Sequence, residues 1–400
     1  MRRLVLFFVT LLSFAVAAEP PAAPRVYSFR AAALVANREK LTAGDTALAP
    51  ALARLRADAD RLLSLKPASV MDKSKTPASG DKHDYFSFGP YWWPDPSKLD
   101  GLPYIQRDGQ NNPEAKVGTD ATAFARTCNA VETLALAFWF TGDARYAEKA
   151  ATLTRVWFLD PATRMNPNLT HAQAIPGKVV GRGIGLIEAR HLTGLTDGLA
   201  LLDGSPGWSA TDAKSMRTWI EKYYLWLNTH QNGKDERGEL NNHGTWFDVQ
   251  AAHLALVLGK TADAKKILTE APAKRLAKQI EPDGRQPLEL ARTKSLDYSL
   301  FNLEALIQLA RLGEQVGVDL WSTSAPTAKD RTLRAALRYV APYADPARVW
   351  LKEDLKSADR GRILPLLAEA LRQGDDPALR EPFEKFADAK TASARWRLLR

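Results

Sequence analysis

Apolar residues recur along this chain at helical spacing, and alternating β-branched runs are almost absent. Asp45 to Leu65 reads as an Ala/Leu/Arg helix. Asp120 to Phe140 reads as a second, rich in alanine and larger apolar residues. It stops at Thr141-Gly142-Asp143, and a further helix runs to about Phe158. The same plan returns at Trp246–Leu258, broken at Gly259-Lys260-Thr261 and followed by Ala262–Glu270. Leu134-Ala135-Leu136-Ala137 and Leu254-Ala255-Leu256-Val257 hold matching places, each ahead of a short turn and a more polar helix. Further helices are expected near 183–203, 211–229, 296–316, 328–342 and 359–373. Repeated antiparallel helix pairs suggest a solenoid or a closed toroid. A tetratricopeptide-like solenoid needs a fixed period of about 34 residues, and none is present. Irregular spacing and long aromatic loops favour an all-α fold, an (α/α) toroid over residues 31–380.

The two ends break this pattern. Arg2-Arg3 precede an apolar run from Leu4 to Ala17, with Ala15-x-Ala17 before Glu19-Pro20. This is the layout of a cleaved signal peptide over residues 1–18. The run falls short of the roughly 20 residues that a membrane-spanning helix needs. An uncleaved membrane anchor is the alternative. The expected location is therefore periplasmic or secreted, without stable membrane insertion. Residues 19–30, with several Pro and Ala, read as a linker. Residues 381–400, with Arg395, Arg397 and Arg400, read as a basic tail.

Composition narrows the class. Of 400 residues, 45% are hydrophobic and 25% charged, the balance of a soluble globular protein. That excludes a disordered or fibrous chain. The net charge is +9. Removing the leader's two arginines leaves 53 basic against 46 acidic residues, a balance of +7. One cysteine excludes a disulfide framework and a Cys-based zinc site. Glycine-rich nucleotide-binding fingerprints are absent. The six histidines include no H-E-x-x-H motif, so neither a metal nor another cofactor is expected. No nucleic-acid-binding module is recognisable.

His83 to Asn112 has no helical period and is rich in turn residues. It carries Tyr85, Phe86, Phe88, Tyr91, Trp92, Trp93 and Tyr104. A loop this long in a compact domain is usually functional or disordered, and this one is too aromatic for disorder. Aromatic faces suit the C–H faces of a sugar chain. The same rings could instead plug one end of the toroid.

Two further segments carry candidate chemistry. The first is Glu239-Leu240-Asn241-Asn242-His243-Gly244-Thr245-Trp246-Phe247-Asp248. Thr245-x-x-Asp248 resembles a capping box, which predicts a helix from about Trp246. Asn242 and His243 then precede a helix N-terminus, whose partial positive charge favours a carboxylate ligand. A plain turn explains the same residues. The second is Gln286-Pro287-Leu288-Glu289-Leu290-Ala291-Arg292-Thr293-Lys294-Ser295-Leu296-Asp297-Tyr298. Leu296, Leu300, Leu303, Ile307 and Ala310 form an apolar stripe, with Ser295 as the expected N-cap. Tyr298 lies off that stripe in the first turn, near Arg292. A tyrosine held there is expected to lose its proton more easily than usual; the alternative is a buried, satisfied hydroxyl.

Together these segments resemble the alginate lyase superfamily of polysaccharide lyases. The resemblance spans roughly residues 80–310. By it, Asn242 and His243 match the Asn and His that neutralise the substrate carboxylate. Arg292 matches the family's Arg, and Tyr298 its catalytic Tyr. Tyr298 follows Arg292 at a spacing of six, one fewer than in the better-known alginate lyases. Pro90-Tyr91-Trp92-Trp93-Pro94-Asp95-Pro96 and Asp100-Gly101-Leu102-Pro103-Tyr104-Ile105 resemble a subgroup near family thirty-eight, which acts on glucuronan and alginate. The resemblance thus implies an anionic polysaccharide as partner.

The chemistry agrees with this assignment. In β-elimination from a 4-linked uronan, the C5 proton leaves and the C4–O bond breaks. The enzyme must neutralise the adjacent carboxylate and stabilise an enolate-like dianion, as preorganised donors do. A base then takes the proton and an acid protonates the leaving oxygen. In mannuronate and glucuronate H5 and O4 share one side of the ring, so one Tyr can serve both steps. Guluronate needs two groups. Asn241, Tyr91, Trp92, Trp93, Tyr104, Arg107, Gln173, Arg182 and Trp246 are the expected substrate-binding residues. Two other readings stay open. A glycoside hydrolase would need paired carboxylates, for which Glu239, Asp248, Glu289 and Asp297 are available. A non-catalytic glycan-binding helical protein needs no reacting group at all.

Overall fold

The computed structural model describes residues 23–323, 328–387 and 389–400. The expected signal peptide lies outside the described residues. Two helices come first, α1 (Ala31–Thr42) and α2 (Ala49–Leu63). The aromatic segment follows with three short strands, β1 (Phe86–Phe88), β2 (Trp92–Trp93) and β3 (Ile105–Gln106). Next come α3 (Ala121–Thr141) and α4 (Ala144–Thr154). A helix can stop sharply where glycine takes a left-handed conformation. Gly142, at φ +72°, ends α3 in this way, and the Asp143 carboxylate then caps α4 by accepting the Arg145 N–H at 3.0 Å.

After β4 (His171–Ala174) lie α5 (Leu192–Leu201), α6 (Ala210–Thr229) and α7 (Gln231–Gly238). The helix expected over 183–203 is split, because Gly183–His191 winds as a tighter 3-10 segment before α5. Gly185 lets this segment lie against β4, since a Cβ there would meet the Ala172 side chain at 2.5 Å. Helices α8 (Asn242–Val257) and α9 (Thr261–Ala271) repeat the α3–α4 plan around Gly259, at φ +74°. Short α10 (Ala277–Gln279) and α11 (Pro287–Leu290) lead into α12 (Ser295–Glu314). The chain closes with α13 (Leu333–Val340), α14 (Ile363–Arg372), α15 (Pro377–Phe386) and α16 (Ala389–Ala392).

The helices form two layers. α3, α5, α8 and α12 pack side by side and α14 joins at α12, giving an inner layer. α8 is buried on every side, as an apolar helix of an inner ring must be. The outer helices α4, α9 and α13 bury one face each and lean on their inner partners. The architecture is the expected all-α (α/α) toroid. Among the described residues no helix is long and apolar enough to cross a membrane.

Both ends depart from expectation. Val26 and Phe29 are core residues, and the buried Asp197 carboxylate accepts the backbone N–H groups of Tyr27, Ser28 and Phe29 at 2.9, 2.6 and 3.1 Å. An extended segment buries its donors only when they find acceptors, and Asp197 supplies them. Residues 26–30 therefore belong to the domain, not to a linker. Of the expected basic tail, Leu398 is buried and Asn37 donates to the Leu398 and Arg400 carbonyls at 3.2 and 2.9 Å. The last residues are docked.

Candidate active site

The aromatic segment is a structured clasp. β2 pairs antiparallel with β3, and β1 pairs parallel with β4. Arg107 N–H donates to the Tyr91 carbonyl at 2.8 Å, and the Asn112 side chain donates to the Trp92 carbonyl at 2.9 Å. These bonds fix Tyr91, whose hydroxyl reaches that of Tyr298 at 2.6 Å. Lys178 stands 4.5 Å and Arg182 5.7 Å from the Trp92 ring centre, and Arg107 stands 5.3 Å from that of Trp93. Cations over aromatic faces hold positive charge beside a stacking surface. Tyr104 and Trp92 share a cavity of about 180 Å³ with Gly89, Asn112 and Pro176. The aromatic residues are therefore divided: Tyr85 is sealed in the core, whereas Tyr91, Trp92, Trp93 and Tyr104 remain half-buried.

Tyr298 is the centre of the site. Arg292 Nη2 donates to its hydroxyl at 2.8 Å, and the guanidinium lies 3.8 Å from the ring centre. The six-residue spacing thus delivers the contact. Ser295 does not cap the helix: its hydroxyl donates to the Glu353 carbonyl at 2.6 Å and accepts from Trp350 at 2.8 Å. α12 begins at Ser295 with Lys294 as the flanking residue. The expectation of an easily ionised phenol is reversed. Burial and the neighbouring Tyr91 push Tyr298 well above its ordinary value, with Arg292 opposing them. The resting hydroxyl is protonated.

Asp108 is the residue that the sequence did not reveal. Its carboxylate accepts Arg292 Nη2 at 2.6 Å and Nε at 3.1 Å, a two-pronged pair that fixes the guanidinium plane. It also accepts the Thr293 hydroxyl at 3.1 Å. Burial disfavours its charge, yet Arg292 and Thr293 hold the carboxyl below the usual carboxylate range. Gly109, at φ +71°, allows the approach, since a Cβ there would lie 2.2 Å from the Thr293 hydroxyl. No local pattern singles out Asp108-Gly109, and only the fold brings the pair to Arg292.

The Asn-Asn-His segment lies inside a helix rather than ahead of one. α8 begins at Asn242, four residues earlier than the Thr245 box predicts. Asn241 is the N-cap, and its side-chain oxygen accepts the His243 N–H at 3.0 Å. Capping uses its side-chain oxygen, and the residue stays half-buried. Asp248 pairs with Arg275 at 2.7 Å instead of capping. Asn242 is fully enclosed: its N–H and Nδ2 both donate to Glu289, at 2.7 and 2.8 Å. His243 Nδ1 lies 2.8 Å from Glu236, itself buried. A carboxylate can only accept, so Nδ1 carries the hydrogen and Nε2 has no protein partner. The His243 Nε2 and the Arg292 guanidinium are therefore the half-buried groups that a ligand meets first, the ring nitrogen donating only in the imidazolium form. Glu236 gave no signal because it sits on polar α7, which has no apolar period.

Gln173 and Arg182 come together. Arg182 Nη2 donates to Gln173 Oε1 at 2.9 Å, and Nε to the Gln173 carbonyl at 3.2 Å. Gln173 is buried in a left-handed conformation, φ +48°, strain that a functional site can retain. It orients Arg182 rather than facing a ligand. Trp246 is buried, with its ring centre 5.1 Å from that of Phe301. It supports the floor, and Phe301 is the more open ring. Of the four carboxylates available to a hydrolase, three are committed: Glu289 to Asn242, Asp248 to Arg275 and Asp297 to Arg362; Glu239 is half-buried.

The comparisons agree with this geometry. An alginate lyase family model matches residues 69–350. A crystal structure of an alginate lyase from Bacteroides ovatus is 39% identical, with a TM-score of 0.89, covering 94% of this chain and 99% of that one. Alginate lyase A1-III complexed with a tetrasaccharide is 15% identical, with a TM-score of 0.52, covering 91% of both chains. Alginate lyase A1-III from Sphingomonas species A1 is 17% identical, with a TM-score of 0.50, covering 91% of this chain and 93% of that one. At such identities the last two speak for the fold alone. No curated protein matches the sequence. With a family match over most of the domain, the chain belongs to the alginate lyase family and is a polysaccharide lyase.

Proposed function

We propose that this enzyme cleaves a 4-linked polyuronate, mannuronate-type alginate or glucuronan, by β-elimination at Tyr298. The observation that carries the reading is the Tyr298 hydroxyl held between Arg292 at 2.8 Å and Tyr91 at 2.6 Å. Arg292, which opposes the raised pKa, stabilises the phenolate once the hydroxyl has lost its proton to solvent. The phenolate takes H5, and the C5–H electron pair becomes the C4–C5 double bond. The C4–O bond breaks with its electrons on oxygen, and Tyr298 returns the proton there. His243, as the imidazolium, and Arg292 neutralise the C5 carboxylate, with the enclosed Asn242 bracing the start of α8 behind them. Glu236 and Glu289 hold His243 and Asn242 in place.

One hydroxyl serving both steps suits substrates with H5 and O4 on the same side, which favours mannuronan and glucuronan over guluronan. The charged leader supports export, so the enzyme would meet its polymer in the periplasm or outside the cell. An absorbance assay across polymannuronate, polyguluronate and glucuronan tests the reading. The expected result is an absorbing C4–C5 double bond on polymannuronate or glucuronan. Reducing ends without absorbance, or activity on polyguluronate alone, would contradict it.

A further inference from the structure

Arginines drawn into this fold generally meet a carboxylate. Arg275 meets Asp248, Arg292 meets Asp108, Arg311 meets Glu369 and Arg362 meets Glu304. Arg190, at the end of the Gly183–His191 segment, does not. It is half-buried and makes one hydrogen bond, from Nη1 to the Ile187 carbonyl at 3.1 Å. The two nearest carboxylates are already engaged. Glu188 accepts the Tyr85 and Ser87 hydroxyls at 2.8 and 2.7 Å, and Glu304 holds Arg362 at 2.9 Å. Neither forms an ion pair with Arg190. Burial accordingly disfavours its charged form, which those two carboxylates only partly offset. A guanidinium desolvated without a counter-ion costs free energy, and a bound anion would offset it. The residue is half-buried, and none of its nitrogens is both sealed and partnerless.

Its position relates this donor to the reacting centre. The guanidinium lies 5.4 Å from the Phe301 ring centre. Phe301 follows Tyr298 by three residues on α12, on the same face and about 4.5 Å along the axis. Phe301 in turn packs on Trp246, which follows His243 by three residues on α8. Arg190 therefore lies about one helical turn from the centre on both helices. It is separate from the Asn242, His243 and Arg292 set. We propose that Arg190, with Phe301 as the apolar surface beside it, is a second carboxylate-binding subsite that takes the uronate next to the one being cleaved. The proposal rests on the polyuronate reading above. Its chemistry is a planar fork meeting a carboxylate with two parallel bonds.

The test is Arg190→Gln, with steady-state kinetics on the preferred polyuronate at low and high salt. A charge-assisted contact of this kind is worth about 10- to 100-fold. KM should rise by that factor while kcat changes far less, and the rise of KM with salt should flatten. Arg190→Lys keeps the charge but not the fork and should recover only part of the affinity. It also serves if the Gln variant does not fold. An unchanged KM in whichever variant folds would overturn the subsite. Failure of the parent to form a double bond would instead sink the lyase chemistry. In that case, direct titration of the parent and Arg190→Gln with the polymer still decides the subsite: equal affinities would reject it.

Discussion

The two ends of α12 carry arginine–carboxylate clusters of opposite character. At the C-terminal end, Glu369 is wholly buried and faces Arg30, Arg311 and Arg400. At the N-terminal end, Asp108 and Arg292 remain about a quarter exposed, and the guanidinium also reaches a neutral hydroxyl. The first cluster turns its charge inward and joins residues from the start, the last long helices and the very end of the chain. The balance there is uneven. Burial opposes the charge of Glu369, but the arginines outweigh it and draw its pKa down to about 2. Burial and Arg311 meanwhile push Arg400 down. The second cluster keeps one side open. The same ion-pair chemistry thus serves cohesion where it is sealed and catalysis where a donor is left facing a reactive group.

Breaking the open cluster at its centre should have the largest effect. Tyr298→Phe keeps the ring and removes the hydroxyl. Acid and base steps are each worth roughly 100- to 10,000-fold, so turnover should fall by several orders of magnitude while polymer binding survives. Double-bond formation and polymer titration measure the two separately. Near-normal turnover would remove Tyr298 from the chemistry.

Breaking the sealed cluster should act on stability instead. Glu369→Gln leaves three cations without their buried anion, and removing one partner of such a pair costs about 3–5 kcal/mol. Denaturant unfolding should register that loss, with kcat of the folded enzyme retained. The depressed pKa also fixes a pH window. The stabilisation is complete above the unfolded value near 4.3 and is lost as pH falls towards about 2. The variant should lack this part of the parent's acid sensitivity; equal acid profiles would contradict the assignment.

Asp108→Asn should have a smaller effect that sharpens the contrast. Arg292 keeps its charge but loses the two-pronged pair that orients it. We expect kcat to fall about 10- to 100-fold, the range for a hydrogen bond to a charged group. The rise of rate with pH should also move. A variant with lowered stability but an unchanged pH–rate profile would make Asp108 a purely structural residue.

How much of this was legible depended on whether a residue's role is written locally. The helix pairs around Gly142 and Gly259 were readable, because an apolar period and a terminating glycine lie on one short segment. Tyr298 off its stripe and the Asn-Asn-His run were readable for the same reason. α1 and α7 were not: α1 gathers few apolar residues on one face, and Gln231–Gly238 has none apart from its glycines. Asp108 and Glu236 were invisible because their partners are distant or on another element, and no spacing rule links an exposed-looking Asp-Gly to Arg292. The start of α8 was misplaced because Asn241 and Thr245 are both plausible caps, and the free His243 N–H selects the first. The ionisation of Tyr298 was misjudged because Tyr91 arrives from the aromatic clasp, and burial outweighs Arg292.

The central claim is that the Tyr298 hydroxyl itself carries the proton. Its raised pKa means that the phenolate fraction, and with it kcat/KM, should climb with pH across the range in which the fold survives. Replacing Tyr298 alone with 3-fluorotyrosine makes that phenol more acidic and changes little else. The account predicts that the rising limb of the pH–rate profile moves to lower pH in the fluorinated enzyme. A limb that stays where it is in the parent would contradict it, and the proton would then have to be carried by another group, with His243 the first to examine.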